Sequence, residues 1–264
     1  SFFGLDIYLP GAGLGVTGAA LGTACAYIVT SLMQCYFAFF RSAILSVRHA
    51  GGSFRFVSSY LVNAFKIGAP MAVQYFLMSS AQIVSTMIIA PLGNFAIAAN
   101  TFAITAESLC YMPGYGIGDA ATTLVGQSIG AGRRELCRSF ARMAVFTGMI
   151  VMAFMGLVMY IMAPEMMGLM TPVGEIQALG TQSLRIEAFA EPFFAASIVS
   201  YCVFVGAGDT LRPAIINLGS MWLVRLTLAA LLATSYGLPG VWTAMAIELT
   251  FRGCMFLLRL FRGK

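Results

Sequence analysis

Long stretches without an ionisable side chain limit what this chain can fold into. Residues 67–106 contain no Asp, Glu, Lys, Arg or His over 40 positions, twice the roughly 20 apolar residues that cross a bilayer as a helix. Charged residues make up 9% of the 264 residues and hydrophobic residues 59%, whereas soluble domains carry about 25% charged residues. This composition excludes a disordered chain, a disulfide-rich secreted scaffold and an ordinary cytosolic enzyme. It predicts an all-α polytopic membrane protein.

Turn-forming residues divide the apolar sequence into seven predicted transmembrane helices. Pro91 and Gly93 interrupt the 67–106 stretch, because proline and glycine together end a helix. Gly237 and Pro239 separate the last two spans in the same way. The predicted spans cover residues 14–40, 67–90, 95–126, 143–164, 179–205, 211–233 and 240–260.

Sequence signals of enzyme chemistry are missing. The six cysteines include no CxxC pair and mostly lie in apolar runs, which is typical of small membrane hydrophobes and predicts neither disulfides nor a metal site. There is no GxxxxGK[ST] phosphate-binding sequence, and the only histidine, His49, lies in a polar stretch between spans. We therefore expect no catalytic residues and no cofactor.

Basic residues collect on one side of the predicted topology. Twelve of the fifteen lie in alternate inter-span segments or after the last span, whereas the opposite loops contain no basic residue and carry Glu165 and Glu175. Because cytoplasmic loops are enriched in Lys and Arg, we expect a bacterial inner (plasma) membrane protein with a cytoplasmic C-terminus and the start of this chain outside. The positive charge then needs no nucleic acid to explain it. The twelve are Arg41, Arg48, Arg55, Lys66, Arg133, Arg134, Arg138, Arg142, Arg212, Arg259, Arg262 and Lys264.

The start of the chain does not look like the start of a membrane protein. It begins with serine and shows no charged n-region and no cleavage site of a signal peptide. We interpret the sequence as a fragment that further helices precede.

Three sequence signatures carry a family resemblance. Independently of that resemblance, their glycines allow close helix packing and can end helices. By these motifs and their spacing, the chain resembles the multidrug and toxic compound extrusion (MATE) transporter family over essentially its whole length. The signatures are Ala90-Pro91-Leu92-Gly93-Asn94 with Ala98-Ala99-Asn100, Leu124-Val125-Gly126-Gln127-Ser128-Ile129-Gly130-Ala131-Gly132, and Gly206-Ala207-Gly208-Asp209-Thr210.

The resemblance implies twelve helices in two lobes of six, of which this chain supplies seven. Residues 1–41 would be the last transmembrane helix of the N-terminal lobe, 42–65 the cytoplasmic inter-lobe linker and 66–264 the C-terminal six-helix lobe. The implied partners are the missing N-terminal lobe of the same protein, the lipid bilayer and a small organic, cationic substrate. The implied activity is antiport by rocking of the two lobes, with organic cations or drugs exported in exchange for H+ or Na+.

The chain departs from one branch of the family. NorM-like members carry two cation-site acids in the C-terminal lobe, and at the matching positions this chain has Met78 and Phe194. This difference makes it more similar to the DinF-like branch, whose coupling aspartate lies in the N-terminal lobe.

Eight ionisable residues nevertheless lie within predicted spans, where each is costly. Counting depth at 1.5 Å per residue brings Arg225 and Glu248 to a similar level and predicts a structural ion pair between them. The same count predicts an acidic group in the outer half of the membrane, formed by Glu107, Glu187 and Glu191.

We interpret this acidic group as part of a substrate or cation pathway. Glu191 ranks first, because Pro192 loosens the helix that follows it. The alternative is that the nearby Arg185 neutralises one acid while the others touch lipid headgroups.

Three further polar residues belong to the predicted pathway. Gln74 and Gln82 share a face of the second span, and Asp119 follows a Pro- and Gly-rich stretch at residues 113–118. Alternatively, the two amides bridge helices and Asp119 caps a helix that resumes after residue 118.

Two other functions remain open at this point. A lipid-linked saccharide flippase of related two-lobed fold would need a more basic cavity than one in which five intramembrane acids outnumber three bases. A seven-helix receptor fits the helix count, but the chain has no DRY-like inner motif and no NPxxY-like last helix.

Overall fold

A computed structural model describes residues 15–41 and 58–262, and these residues form helices and short connections without a strand. Three helices continue directly into tighter or wider helical turns. The elements are α1 (Gly15–Tyr36) with a π-helical turn Phe37–Arg41, α2 (Ser58–Ile89) with a 3-10 turn Ala90–Leu92, α3 (Asn94–Gly130), α4 (Arg134–Met170), α5 (Gly174–Ala188), α6 (Glu191–Gly206), α7 (Leu211–Gly219) with a π-helical turn Ser220–Arg225, and α8 (Leu226–Arg262).

The chain divides into two compact units, residues 1–58 and 59–264. The first contains α1 and the second contains the other helices. Residues 42–57 of the predicted linker lie outside the described residues, as do Arg48, Arg55 and Lys264. The remaining part of that linker is helical, because α2 begins at Ser58.

The first four predicted spans correspond to α1–α4, whereas the fifth is two helices. α5 and α6 meet at a break with a bend of 61°. α3 runs through Pro113 as one helix, so Asp119 does not cap a resumed helix.

Four helical runs in the described residues are long and apolar enough to cross a membrane, Ala20–Arg41, Ala64–Leu92, Arg134–Met170 and Leu211–Arg262, and the bent α5–α6 pair makes a fifth. The 52 residues of Leu211–Arg262 would extend about 78 Å at 1.5 Å per residue, more than twice the roughly 30 Å of a hydrocarbon core. Gly237 breaks this run with φ 62° and ψ −142°, so its length suits two crossings. α3 has 37 residues but is not among the runs that are long and apolar enough to cross a membrane.

The second unit has a core of small residues and an apolar outer surface. Ala99, Ala103 and Ala106 of α3 are fully buried, and such residues let neighbouring helices approach closely. On α4, Met152 is buried while Ile150 and Phe154 are 70% and 64% exposed. A helix that is apolar on both faces suits a bilayer rather than water.

One end of the second unit gathers its basic residues. Asp209, in the turn between α6 and α7, forms an ion pair with Arg259 near the end of α8. The guanidinium of Arg142, near the start of α4, lies 5.9 Å from the ring centre of Phe261. The predicted one-sided distribution of charge therefore has a spatial counterpart, which we call the basic end.

Two glycines allow neighbouring helices to pack against the break between α5 and α6. A Cβ atom on Gly156 of α4 would lie 2.8 Å from the carbonyl oxygen of Ala188, and one on Gly253 of α8 would lie 2.4 Å from that of Phe193. Both contacts are with backbone, which cannot rotate away as a side chain can. The break is therefore held between α4 and α8.

We expect Gly253→Ala to destabilise the protein by about 1–3 kcal/mol, the usual cost of overpacking. The matched control is Gly116→Ala, where a Cβ atom meets nothing within 4 Å and where the change favours the helix by up to about 1 kcal/mol. Thermal unfolding of the purified full-length protein in detergent measures both. Equal midpoints for the two variants would show that the break is not tightly held.

Candidate functional site

Three glutamates are buried around the break. Glu107 of α3 is 3% exposed, and Glu187 and Glu191 are 0% exposed. We call these three residues the acid cluster, because each of their carboxyls feels the charge of at least one of the others. Neither carboxylate oxygen of Glu187 or Glu191 has a hydrogen-bond partner among the described residues.

The local sequence explains why two acids flank the break. α5 ends at Ala188, and the amide of Ala190 donates to the carbonyl oxygen of Glu187 at 2.7 Å. α6 then begins at Glu191 with Pro192 in its second position, where the missing N–H of proline is not needed. Glu191 therefore occupies the first turn of a helix, which favours a negative side chain.

The acid cluster is not a ready-made metal centre. Among residues 15–41 and 58–262, no group of three or more His, Cys, Asp or Glu side chains is placed to hold a metal ion. The three carboxyls are therefore neighbours in the electrostatic sense without converging on one point.

The predicted ion pair between Arg225 and Glu248 is not present. Arg225 directs its two terminal nitrogens at methionine sulfurs, 2.7 Å from Met245 Sδ and 3.8 Å from Met221 Sδ. It lies near Glu107, Glu187 and Glu248 in electrostatic terms, but no carboxylate in the described part of the chain pairs with it within 4 Å. Counting depth from the sequence correctly predicted that Arg225 and Glu248 lie near each other. It did not predict the direction in which each side chain points.

Glu248 instead contacts Arg252 and Ser220. We call these three residues the ionic core. Its Oε1 atom lies 3.3 Å from Nε of Arg252, one turn along α8. The same oxygen accepts a hydrogen bond from the hydroxyl of Ser220, which begins the π-helical turn after α7. All three residues are buried, so the charge of Glu248 is compensated inside the lobe.

A cavity of about 290 Å³ opens beside the ionic core, and we call it the polar cavity. It contains two residues of the predicted pathway, Gln74 and Asp119. The hydroxyl of Tyr201 donates to Oε1 of Gln74 at 3.0 Å, so this amide does bridge helices. The full lining is Gln74, Tyr75, Met78, Tyr115, Asp119, Phe194, Ser197, Ile198, Tyr201, Cys202, Asn217 and Arg252.

The two positions at which NorM-like transporters carry acids both face this cavity. Met78 comes from α2 and Phe194 from α6, although they are 116 residues apart in sequence. The guanidinium of Arg252 lies 5.8 Å from the ring centre of Phe194. The cavity therefore has Asp119 and Arg252 as its charged groups.

The remaining predicted residues lie apart from the polar cavity. Gln82 borders a space of about 20 Å³ together with Arg225, Asn100 and Trp242, and the indole N–H of Trp242 donates to Asn100 at 3.1 Å. Arg185 is exposed and forms no ion pair within the described residues, so it does not neutralise the acid cluster.

Sequence reasoning missed the roles of Arg252, Ser220 and Tyr201. Arg252 stands four residues after Glu248, a spacing that brings two side chains of a helix together, so a helical-pair search would have found it. Ser220 and Tyr201 gave no such signal, because their partners lie on other helices.

A family model matches the larger part of the chain. The MatE model covers residues 70–231, which includes α3–α7 and most of α2. The chain belongs to the MatE family. This membership favours a transporter over the seven-helix receptor that the helix count alone left open.

Several curated relatives of this MatE chain carry the same name. The "Probable multidrug resistance protein NorM" of Thermotoga maritima is 28% identical over 201 residues, which is 75% of this chain and 43% of that protein. The protein of the same name from Pseudomonas aeruginosa is 27% identical over 240 residues, covering 88% of this chain and 49% of its own length. The chain thus spans less than half the length of these two relatives.

Solved structures agree in fold. An outward-facing multidrug resistance MATE family transporter of the MOP superfamily has a TM-score of 0.79 at 21% identity, over 93% of this chain and 55% of that one. The Vibrio cholerae MATE transporter VcmN in its bent form has a TM-score of 0.74 at 19% identity, over 94% of this chain and 56% of that one. At this identity the likeness concerns the fold.

A double-mutant cycle tests the ionic core. We expect Glu248→Gln and Arg252→Gln each to destabilise the protein, and the double variant to recover about 1–3 kcal/mol relative to the sum, because the two groups are in contact. A parallel cycle of Glu248 with Arg225 should recover less than about 0.5 kcal/mol. The measurement is thermal unfolding of the full-length protein in detergent. A larger coupling energy of Glu248 with Arg225 than with Arg252 would support the ion pair expected from the sequence.

Proposed function

We propose that the whole protein is a secondary active efflux transporter, an antiporter that exports organic cations or drugs in exchange for H+ or Na+ by rocking of two lobes. This chain would supply the C-terminal six-helix lobe and the last helix of the N-terminal lobe. Membership of the MatE family and relatives named as probable multidrug resistance proteins support the proposal.

The observation that supports coupling most directly is the acid cluster. Glu187 and Glu191 are buried without hydrogen-bond partners in the described residues, and an unpaired carboxylate in an apolar interior is costly. Binding a proton or a cation removes that cost, so the free energy of burying Glu187 and Glu191 depends on whether the ion is bound.

The position of the acid cluster connects ion binding to the conformation of the protein. Glu187 and Glu191 flank a 61° break, and broken helices are the segments that form ion sites in many secondary transporters. A change of charge at the break would alter the packing of α5 and α6 against α4 and α8. An ion can shift a conformational equilibrium only if its binding free energy differs between the two conformations.

The polar cavity suits the substrate side of the exchange. It presents three tyrosines and two charged groups, Asp119 and Arg252, and the charge of Arg252 is compensated by Glu248. Aromatic faces and the remaining carboxylate both attract organic cations. Its volume of about 290 Å³ is at the lower limit for a small-molecule site. In our proposal the other lobe completes it.

The pathway residues then have distinct roles. Glu191, Glu187 and Glu107 exchange the coupling ion, while Gln74 and Asp119 contact the substrate. Gln82 lies beside Arg225, where it would help to solvate that buried guanidinium. The protein would lie in a bacterial inner membrane with its basic end in the cytoplasm.

Export of a cationic dye tests the function. The complete gene is expressed in an efflux-deficient bacterium, and dye export is followed while the proton gradient and then the sodium gradient are collapsed. We expect export to stop with one of the two gradients, which identifies the coupling ion. No export under either gradient, from protein present in the membrane, would contradict the proposal and favour a flippase.

We expect Glu191→Gln to slow dye export roughly tenfold, which corresponds to about 1.4 kcal/mol in the limiting barrier. The amide keeps the size of the side chain but cannot exchange a proton, so export should also lose its dependence on pH. Glu165→Gln is the matched control, because Glu165 is exposed at the end of a span. Unchanged export and pH dependence in Glu191→Gln would remove Glu191 from the coupling site.

Asp119→Asn should raise the dye concentration for half-maximal export about tenfold, since removing a charge contact of some 1.4 kcal/mol has that effect on affinity. Export of a neutral dye should change little. Glu135→Gln, at an exposed acid of α4, serves as the control. Equal losses for cationic and neutral dyes would show that Asp119 does not recognise charge.

A further inference from the structure

A second, larger opening lies on the surface of the lobe, away from the polar cavity. It measures about 790 Å³ and is bordered by α4 and α5, with Thr243 of α8 at its edge. We call it the α4–α5 cleft. Its lining is Tyr160, Pro164, Gly174, Gln177, Ala178, Thr181, Gln182, Arg185, Ile186, Phe189 and Thr243, so it combines one cation and several hydrogen-bonding groups with apolar walls.

Arg185 is the only charged residue of this lining, and it contacts Tyr160 in two ways. Its Nε donates to the backbone carbonyl oxygen of Tyr160 at 3.3 Å. Its guanidinium carbon lies 5.3 Å from the centre of the Tyr160 ring. These two contacts leave both terminal nitrogens of the fork without a partner in the described residues, and that fork matches the geometry of a phosphate.

The location makes an unpaired arginine costly. Arg185 lies in α5, six residues after the predicted start of the span at residue 179 and thus about 9 Å along the helix from that point, within a bent pair apolar enough to span a membrane. A charge at that level of a span needs a polar partner. No carboxylate of the described residues supplies one, so an anionic partner from outside them would lower this cost.

The surroundings of Arg185 fit an amphipathic partner. Thr181 and Gln182 lie one turn before Arg185 on α5 and line the same cleft, which adds a hydroxyl and an amide beside the guanidinium. Phe189 is 74% exposed and packs edge-to-face on Tyr160 with ring centres 5.6 Å apart. Polar groups beside a cation, bounded by exposed aromatic rings, match a phosphate that carries acyl chains.

We propose that the α4–α5 cleft binds a membrane phospholipid, with the phosphate on the guanidinium fork of Arg185 and an acyl chain along Phe189. Basic pockets between transmembrane helices bind anionic headgroups elsewhere. A phospholipid is favoured over a free phosphate because the cation lies within a spanning segment rather than at a water-exposed loop. The site is separate from the acid cluster and from the polar cavity, so it does not depend on what the protein exports.

Photocrosslinking in liposomes tests the proposal. The full-length protein is reconstituted in phosphatidylglycerol that carries a photoreactive diazirine near the phosphate, and adducts are mapped by peptide mass spectrometry. We expect adducts on residues 174–189, and Arg185→Ala should lower their yield about fivefold, as expected for one basic contact with an anionic lipid. Arg185→Lys, which keeps the charge but loses the fork, should give an intermediate yield and keeps the test valid if the alanine variant misfolds.

The matched control is Arg142→Ala. Arg142 is also exposed and also lies over an aromatic ring, Phe261, at 5.9 Å, but at the basic end of the lobe. It should leave the adducts on residues 174–189 unchanged. An undiminished yield in both Arg185 variants would overturn the proposal and indicate unspecific lipid contact. The absence of adducts on residues 174–189 in the unaltered protein would also overturn it, because the rest of the protein would then cover the cleft. Competition by soluble glycerol phosphate would also overturn it, in favour of a free phosphate.

Discussion

The compensation of one buried charge organises much of the lobe. Glu248 lies in an apolar interior, where a carboxylate without partners costs several kcal/mol. Arg252 and Ser220 supply those partners, and the guanidinium of Arg252 also lies over the ring of Phe194. The charge of Glu248 thus connects α8 to the π-helical turn after α7 and to the start of α6. The polar cavity opens among these elements, so its shape depends on that compensation.

In our proposal, the contrast between Glu248 and the acid cluster separates a structural charge from exchangeable ones. All of these glutamates are buried to a similar extent, but only Glu248 has a cation and a hydroxyl on its carboxylate. Glu187 and Glu191 have neither in the described residues, and they lie where the helix is already interrupted. A protein can retain an expensive, unpaired acid if its cost changes during the working cycle. At the two positions that the family resemblance matches to the NorM-like acids, Met78 and Phe194 face the cavity and cannot titrate.

The sequence was most informative about the positions of helices and charged residues along the membrane normal. Uncharged runs located the helices, and arginines located the basic end, because both are properties of position along the chain. Directions around a helix axis were harder to predict. Arg225 and Glu248 were paired by depth, but the π-helical turn at Ser220–Arg225 departs from the 3.6-residue period on which such counting relies. Pro192 predicted a loosened helix at this place, but the sequence did not predict the 61° break before it, because Phe189 and Ala190 are ordinary apolar residues.

The basic end has a mechanical consequence. The ion pair of Asp209 with Arg259 and the contact of Arg142 with Phe261 fasten three helix ends to one another there. Glu191 of the acid cluster lies at the opposite end of α6 from the fastened turn that contains Asp209, beside the break between α5 and α6. α6 is therefore bounded by a fastened turn at one end and by a bent junction at the other. If a change of charge at Glu191 moves the break, as we propose, the displacement would be largest at the start of α6 and smallest at the basic end.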